Sequence, residues 1–125
     1  MGFKKIKAPL TLFQKIQSFW NKNKNELSVE FFPPGDAVAN RWLIPSYMVS
    51  VENNTLDGGG EELKNEVWDG AEDVISEWTG QKLKTSSCYG IRVYKEGAIL
   101  TSHVDRLPLV SSAIINVDQD VDEPW

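Results

Sequence analysis

Apolar positions recur along this chain with two rhythms, a helical one in its first two thirds and an alternating one in its last third. Leu12, Phe13, Ile16, Phe19 and Trp20 fall at i, i+1, i+4, i+7 and i+8, which predicts a helix over residues 10 to 24 with Thr11 as a candidate N-cap. Lys15, Lys22 and Lys24 lie off the apolar stripe. The pattern favours a terminal helix docked on the body, with a membrane-surface helix as the other reading of the same residues. Pro33, Pro34, Gly35 and Pro45 break regular structure and predict a surface loop over residues 33 to 46. Tyr47 to Glu52 alternates as a strand does, and Asn53 to Gly60 reads as a flexible turn. Leu63, Val67, Ala71, Val74, Ile75 and Trp78 then return to helical spacing. Acids crowd the first turn of that helix, where the dipole favours them, and Gly80 ends it.

From Lys82 onward β-branched and aromatic residues alternate with polar ones. Four strands are expected: Leu83 to Tyr89, Ile91 to Lys95, Ala98 to His103 and Val110 to Val117. Helices first and strands afterwards is the order of an α+β architecture, with helices buttressing one face of an antiparallel sheet or barrel. There is no internal repeat and no low-complexity segment.

Composition narrows the choice of partner. The 125 residues fit a single domain, and 41% hydrophobic residues with five Trp supply a core. The net charge of −5 hides an asymmetry, because the first 24 residues hold six Lys and no acid, leaving −11 on the rest. An acidic body is a poor match for phosphate backbones, so nucleic acid is not expected as a main partner. No apolar run reaches the roughly 20 residues of a membrane helix, and Ile6 stands where a myristoylation pattern needs Ser or Thr. A single cysteine, Cys88, and no secretory apolar segment near Met1 point to an intracellular, cytoplasmic setting without a membrane partner. Cys88 reads as a small core residue.

The candidate chemistry is His103-Val104-Asp105. On a strand, side chains two apart project to one side, so an imidazole and a carboxylate can grip one ion. Such a pair is two thirds of the 2-His-1-carboxylate triad of non-heme iron(II) sites. From these three residues alone, a surface histidine hydrogen-bonded to a carboxylate is the competing reading. Other chemistries find less support. Gly58-Gly59-Gly60 lacks the continuation of a phosphate-binding loop. Asp118, Asp120 and Asp122 lack the glycine and glutamate of a calcium loop, and read as a solvated turn. One His and one Cys do not make a structural zinc site or a cysteine-protease pair, and no nucleophile elbow occurs.

The residues before the pair add a pattern. Tyr94, Gly97, Leu100, His103 and Asp105 match Y-x-x-G-x-x-L-x-x-H-x-D, and the run from Tyr89 to Asp105 resembles the prolyl 4-hydroxylase-like 2-oxoglutarate/iron(II) oxygenases. The similarity covers about residues 83 to 125. It implies that His103 and Asp105 are iron ligands and catalytic residues, that Tyr94 contacts 2-oxoglutarate, and that Gly97 serves a turn. Asn116 stands near where relatives place a cosubstrate contact, as a departure from the Tyr of some members. The implied fold is a double-stranded β-helix, or jelly-roll, barrel with N-terminal helices packed on it. Residues 1 to 24 would be a basic N-terminal helix, 25 to 80 loops, a strand and a support helix, and 81 to 125 the first strands of the barrel. The implied activity is a dioxygenase using Fe(II), 2-oxoglutarate and O2, with ascorbate as an accessory, to hydroxylate a peptide or small-molecule substrate.

The pattern has a gap. Relatives carry a second histidine several strands later and then an Arg or Lys that pairs with 2-oxoglutarate, whereas His103 is the one histidine of this sequence. The expectation is therefore a fragment of an oxygenase, inactive alone, whose barrel is incomplete. A degenerate metal-binding domain that binds a ligand or partner without turnover, a site completed by another subunit, a non-catalytic interaction domain that docks a partner on the Phe13, Ile16 and Trp20 stripe, and a cupin-like metalloprotein are the alternatives. Arg106, next to Asp105, reads either as a contact for an acidic substrate group or as a partner of nearby acids, and the exposed salt bridge is the expected role.

Overall fold

The computed structural model describes residues 2–31 and 44–124. The loop expected over 33 to 46 lies outside these residues except for Ile44, Pro45 and Ser46. The architecture is α+β, with elements in the order α1 (Leu10–Asn23), β1 (Ser28–Val29), β2 (Tyr47–Ser50), α2 (Glu61–Thr79) and β3 (Gly90–Val93). The three strands form one antiparallel sheet in the order β1-β2-β3.

Helix α1 begins one residue before Thr11. Pro9 precedes it with φ −53°, and its carbonyl accepts the Phe13 amide at 2.9 Å. A proline here starts a helix without a side-chain cap, because its ring presets φ and its missing N–H would have had no helical partner. Leu12, Ile16 and Phe19 are buried, so the stripe docks on the body. Lys15 pairs with Glu66 at 2.7 Å and Lys22 with Asp57 at 3.5 Å, which spends two lysines on the body itself. No helix among the described residues is long and apolar enough to cross a membrane.

One buried polar group continues the stripe by a turn. Asn23 is 3% exposed. Its Nδ2 donates to the carbonyls of Phe19 and Asp57, both at 2.9 Å, and its Oδ1 accepts the Asp57 amide at 3.1 Å. The carboxamide thus sews the end of α1 to the turn before α2, and burial is tolerable because its hydrogen-bonding groups are used. Gly59 lets that turn approach, since a Cβ there would lie 2.4 Å from the Asn53 carbonyl oxygen and 3.2 Å from the Phe19 ring. The turn then feeds α2, the Gly60 amide bonding the Val51 carbonyl at 2.8 Å. Glu61 and Glu62 occupy the first turn of α2, and Gly80 closes it at φ 67°. Midway, Gly70 faces Leu12 so closely that a Cβ would sit 2.8 Å from its Cδ2. That crossing accounts for a glycine in a helix interior, where it otherwise costs about 1 kcal/mol.

Phe19, Val49, Val51 and Leu63 form the core, flanked by Leu27, Leu56, Val67, Cys88 and Ile91. Cys88 is half-buried there, and burial pushes its thiol pKa up. Beside the core, Arg92 of β3 grips Glu30 in a two-pronged ion pair at 2.5 and 2.8 Å. This contact ties β3 to the residue after β1 and raises the guanidinium pKa further.

The alternating C-terminal third differs from expectation. Of its four expected strands only Ile91 to Lys95 forms, as Gly90–Val93, while Leu83 to Tyr89, Ala98 to His103 and Val110 to Val117 are irregular. Ile99, Leu100, Val104, Leu107, Val110 and Ile114 are exposed, Ile114 at 92%. The cause is the nature of the sheet. Alternation makes a segment fit a pleated surface, but a strand exists only where a neighbour supplies a ladder, and among the described residues these segments have none.

Replacing Asn23 by Ala strips partners from three backbone groups and is expected to lower the unfolding free energy by about 2–3 kcal/mol in urea titration. Lys22→Ala, which removes only an exposed ion pair, should cost less than about 1 kcal/mol. Equal losses would contradict the clamp.

Candidate functional site

Beyond β3 the chain turns at Gly97, whose φ of 82° suits glycine, with the Ala98 amide bonded to the Lys95 carbonyl at 2.9 Å. The segment that follows carries His103 and Asp105. Although it forms no strand, it brings the two side chains together, His103 Nε2 lying 3.6 Å from Asp105 Oδ1. His103 Nδ1 is 2.7 Å from the Thr101 carbonyl oxygen. A carbonyl only accepts, so Nδ1 carries a proton, and in the neutral tautomer that this selects the lone pair is at Nε2, on the side of the carboxylate.

The electrostatic consequence follows from that tautomer. A lone pair and a carboxylate oxygen facing each other repel unless a cation, either a proton on the ring or a metal ion, stands between them. The gap of 3.6 Å is longer than a hydrogen bond, so neither group satisfies the other. The His103 side chain is 22% exposed and that of Asp105 43%, so both are reachable from solvent. A backbone carbonyl on the second ring nitrogen is also the usual way of orienting a metal-ligating histidine. The donor set therefore fits two positions of an iron(II) centre. Among the described residues no group of three His, Cys, Asp or Glu side chains comes together, so the third protein ligand is not found there.

The other two expected site residues stand differently. Tyr94 is half-buried, and its side chain hydrogen-bonds with that of Arg92. Asn116 is exposed and donates to Gln119 Oε1 at 3.0 Å. It helps line an apolar groove of about 370 Å³ with Pro9, Leu12, Gly70 and Val74, a groove that contains neither His103 nor Asp105. The acidic turn near it is partly engaged, since Asp118 Oδ2 accepts the Trp20 indole N–H at 2.8 Å.

Arg106 departs from its expected salt bridge. Its Nη2 donates to the Tyr89 hydroxyl oxygen at 3.2 Å, and among the described residues it has no carboxylate partner. Ser87 hydrogen-bonds the same phenol. Both contacts favour the phenolate, so Tyr89 is held below its ordinary pKa of 10.0, with Arg106 the larger cause. Tyr89 and Arg106 are 17 residues apart, and no periodicity pairs them.

Comparison with protein-family models, with curated proteins and with solved structures finds no match to the chain.

Ultraviolet titration, read as the difference between the unsubstituted chain and Tyr89→Phe, should show Tyr89 ionising below 10.0, and Arg106→Gln should return it toward that value. The folded state favours ionised Tyr89, so any stabilisation from it is present above the ordinary phenol pKa and gone as pH falls through the lowered one. Neutral-pH stability should not change with Tyr89→Phe by this route.

Proposed function

We propose that His103 and Asp105 are two of the three protein ligands of an iron(II) centre in a 2-oxoglutarate-dependent dioxygenase of the prolyl 4-hydroxylase-like type. The observation that carries the reading is the orientation of His103. Its Nδ1 is committed to the Thr101 carbonyl, which turns Nε2 toward the Asp105 carboxylate. The five-position pattern from Tyr94 to Asp105 supports the same reading.

In this reading His103 supplies a neutral nitrogen donor and Asp105 an anionic oxygen donor, and Thr101 keeps the ring from turning away. Tyr94 contacts the cosubstrate, steadied by Arg92, which Glu30 in turn pins. Asn116 has only the family likeness behind it as a cosubstrate contact. Bound iron(II), with 2-oxoglutarate and O2, would supply the oxidising power for hydroxylating a C–H bond, with succinate and CO2 as coproducts and ascorbate as an accessory. The protein's part is to bind and orient. A second imidazole has to come from outside these 125 residues, because they contain one histidine. The finer fold of the reading is a double-stranded β-helix, in which the irregular segments from 98 to 117 would become ladder strands once partnered.

A second reading draws on the exposed run Ile99, Val104, Leu107, Val110 and Ile114. A non-catalytic interaction domain would cover that run with a partner, and the His–Asp pair would then be incidental.

Anaerobic titration with iron(II), or with manganese(II) followed by water proton relaxation, separates the two. Weak but saturable binding is expected, falling about tenfold or more in His103→Ala and in Asp105→Ala. Binding that persists unchanged in both variants places the metal elsewhere and sinks the oxygenase reading.

A further inference from the structure

The side chain next in sequence to the His–Asp pair carries a positive charge that no acid neutralises among the described residues. Arg106 presents five N–H donors in a planar fork, and one of them is given to Tyr89. The phenolic oxygen of Tyr89 accepts from Arg106, and Ser87 is hydrogen-bonded to the same phenol. Two elements of the chain meet here. Ser87 and Tyr89 lead into β3, and Arg106 follows the segment that holds His103 and Asp105. In this acidic body the side chain that holds Arg106 is a phenol, not a carboxylate, among the described residues.

We infer that Arg106, with Tyr89 and Ser87 holding it in place, is an anion-binding element beside the His103–Asp105 pair, and that the substrate carries a carboxylate or phosphate group. The planar fork suits either anion, since both offer two oxygens to parallel N–H donors. Tyr89 holds one edge of the guanidinium through the hydroxyl contact and leaves the other N–H donors to an anion. The substrate class rests on the iron-centre reading, whereas the anion site stands on its own geometry.

The test is a metal-free titration of isotope-labelled protein at constant ionic strength, with glutarate in one arm and inorganic phosphate in the other, followed by nuclear magnetic resonance. Saturable shifts of the Arg106 Nε–Hε signal and of the Tyr89 ring are expected with at least one anion, and the arm that saturates identifies the anion preferred. Arg106→Gln should weaken binding about tenfold or more, as expected when a charge-assisted fork is lost. Tyr89→Phe should weaken it by a smaller factor, and Lys84→Gln, which removes an exposed cation from the segment before Ser87, should leave it unchanged. Amide spectra of the variants report that they remain folded. Shifts that stay linear with both anions, or equal binding by Arg106→Gln and the unsubstituted chain, overturn the proposal. Manganese(II) binding is measured separately. Loss of metal binding with intact anion binding rejects the iron centre and retains the anion site, and the converse rejects the anion site alone.

Discussion

The buried carboxamide of Asn23 is the contact on which the rest of this structure depends. It satisfies three backbone groups at once, on Phe19 and on Asp57, and so fixes where α1 ends relative to the turn that begins α2. Phe19, one turn before it on the same helix face, is thereby set into the core with Val49, Val51 and Leu63. An apolar residue at position 23 could have packed, but it could not have closed the Asp57 backbone. The polar choice exchanges some burial energy for a unique placement of the turn, because a buried amide without partners is costly and only one docking supplies them.

From this anchor the order of the chain decreases toward the candidate site. β2 is held by the core, β3 is held by β2 and by the Arg92–Glu30 pair, and after Tyr94 the chain relies on turns and single side-chain bonds. His103 and Asp105 lie in that last region, where the backbone has least support. Their orientation comes from a local contact, the Thr101 carbonyl two residues away, rather than from a ladder. Local orientation keeps the two donors together even though the segment forms no strand. It does not bring in a third donor, which needs tertiary structure that these segments lack among the described residues.

The Tyr89–Arg106 contact shows the other side of the same dependence. The two residues stand 17 apart, at neither helical nor strand spacing, and their meeting depends on how the segments before β3 and after Asp105 fold back. Simple proximity in sequence favoured a salt bridge for Arg106, with Asp105 beside it. Asp105 faces His103 instead, and this leaves the guanidinium to a phenol.

By itself the sequence determined both helices, the strand at Tyr47, the stops at Gly80 and Gly97 and the adjacency of His103 and Asp105. These are local matters, set by periodicity, backbone freedom and spacing along one segment. Leu12, Ile16 and Phe19 could be read as a buried stripe because helical spacing fixes a face whatever lies opposite. Only the tertiary structure decided that Asn23 extends that stripe, that Pro9 rather than Thr11 opens α1, and that Gly70 yields to Leu12. It alone decided which alternating segments became strands. Ala98 to His103 and Val110 to Val117 are expected as strands just as Tyr47 to Glu52 is, yet of these three, among the described residues, only Tyr47 to Glu52 found neighbours to pair with. A helix closes its hydrogen bonds within itself, whereas a strand needs another strand, and no single segment encodes whether that partner is present.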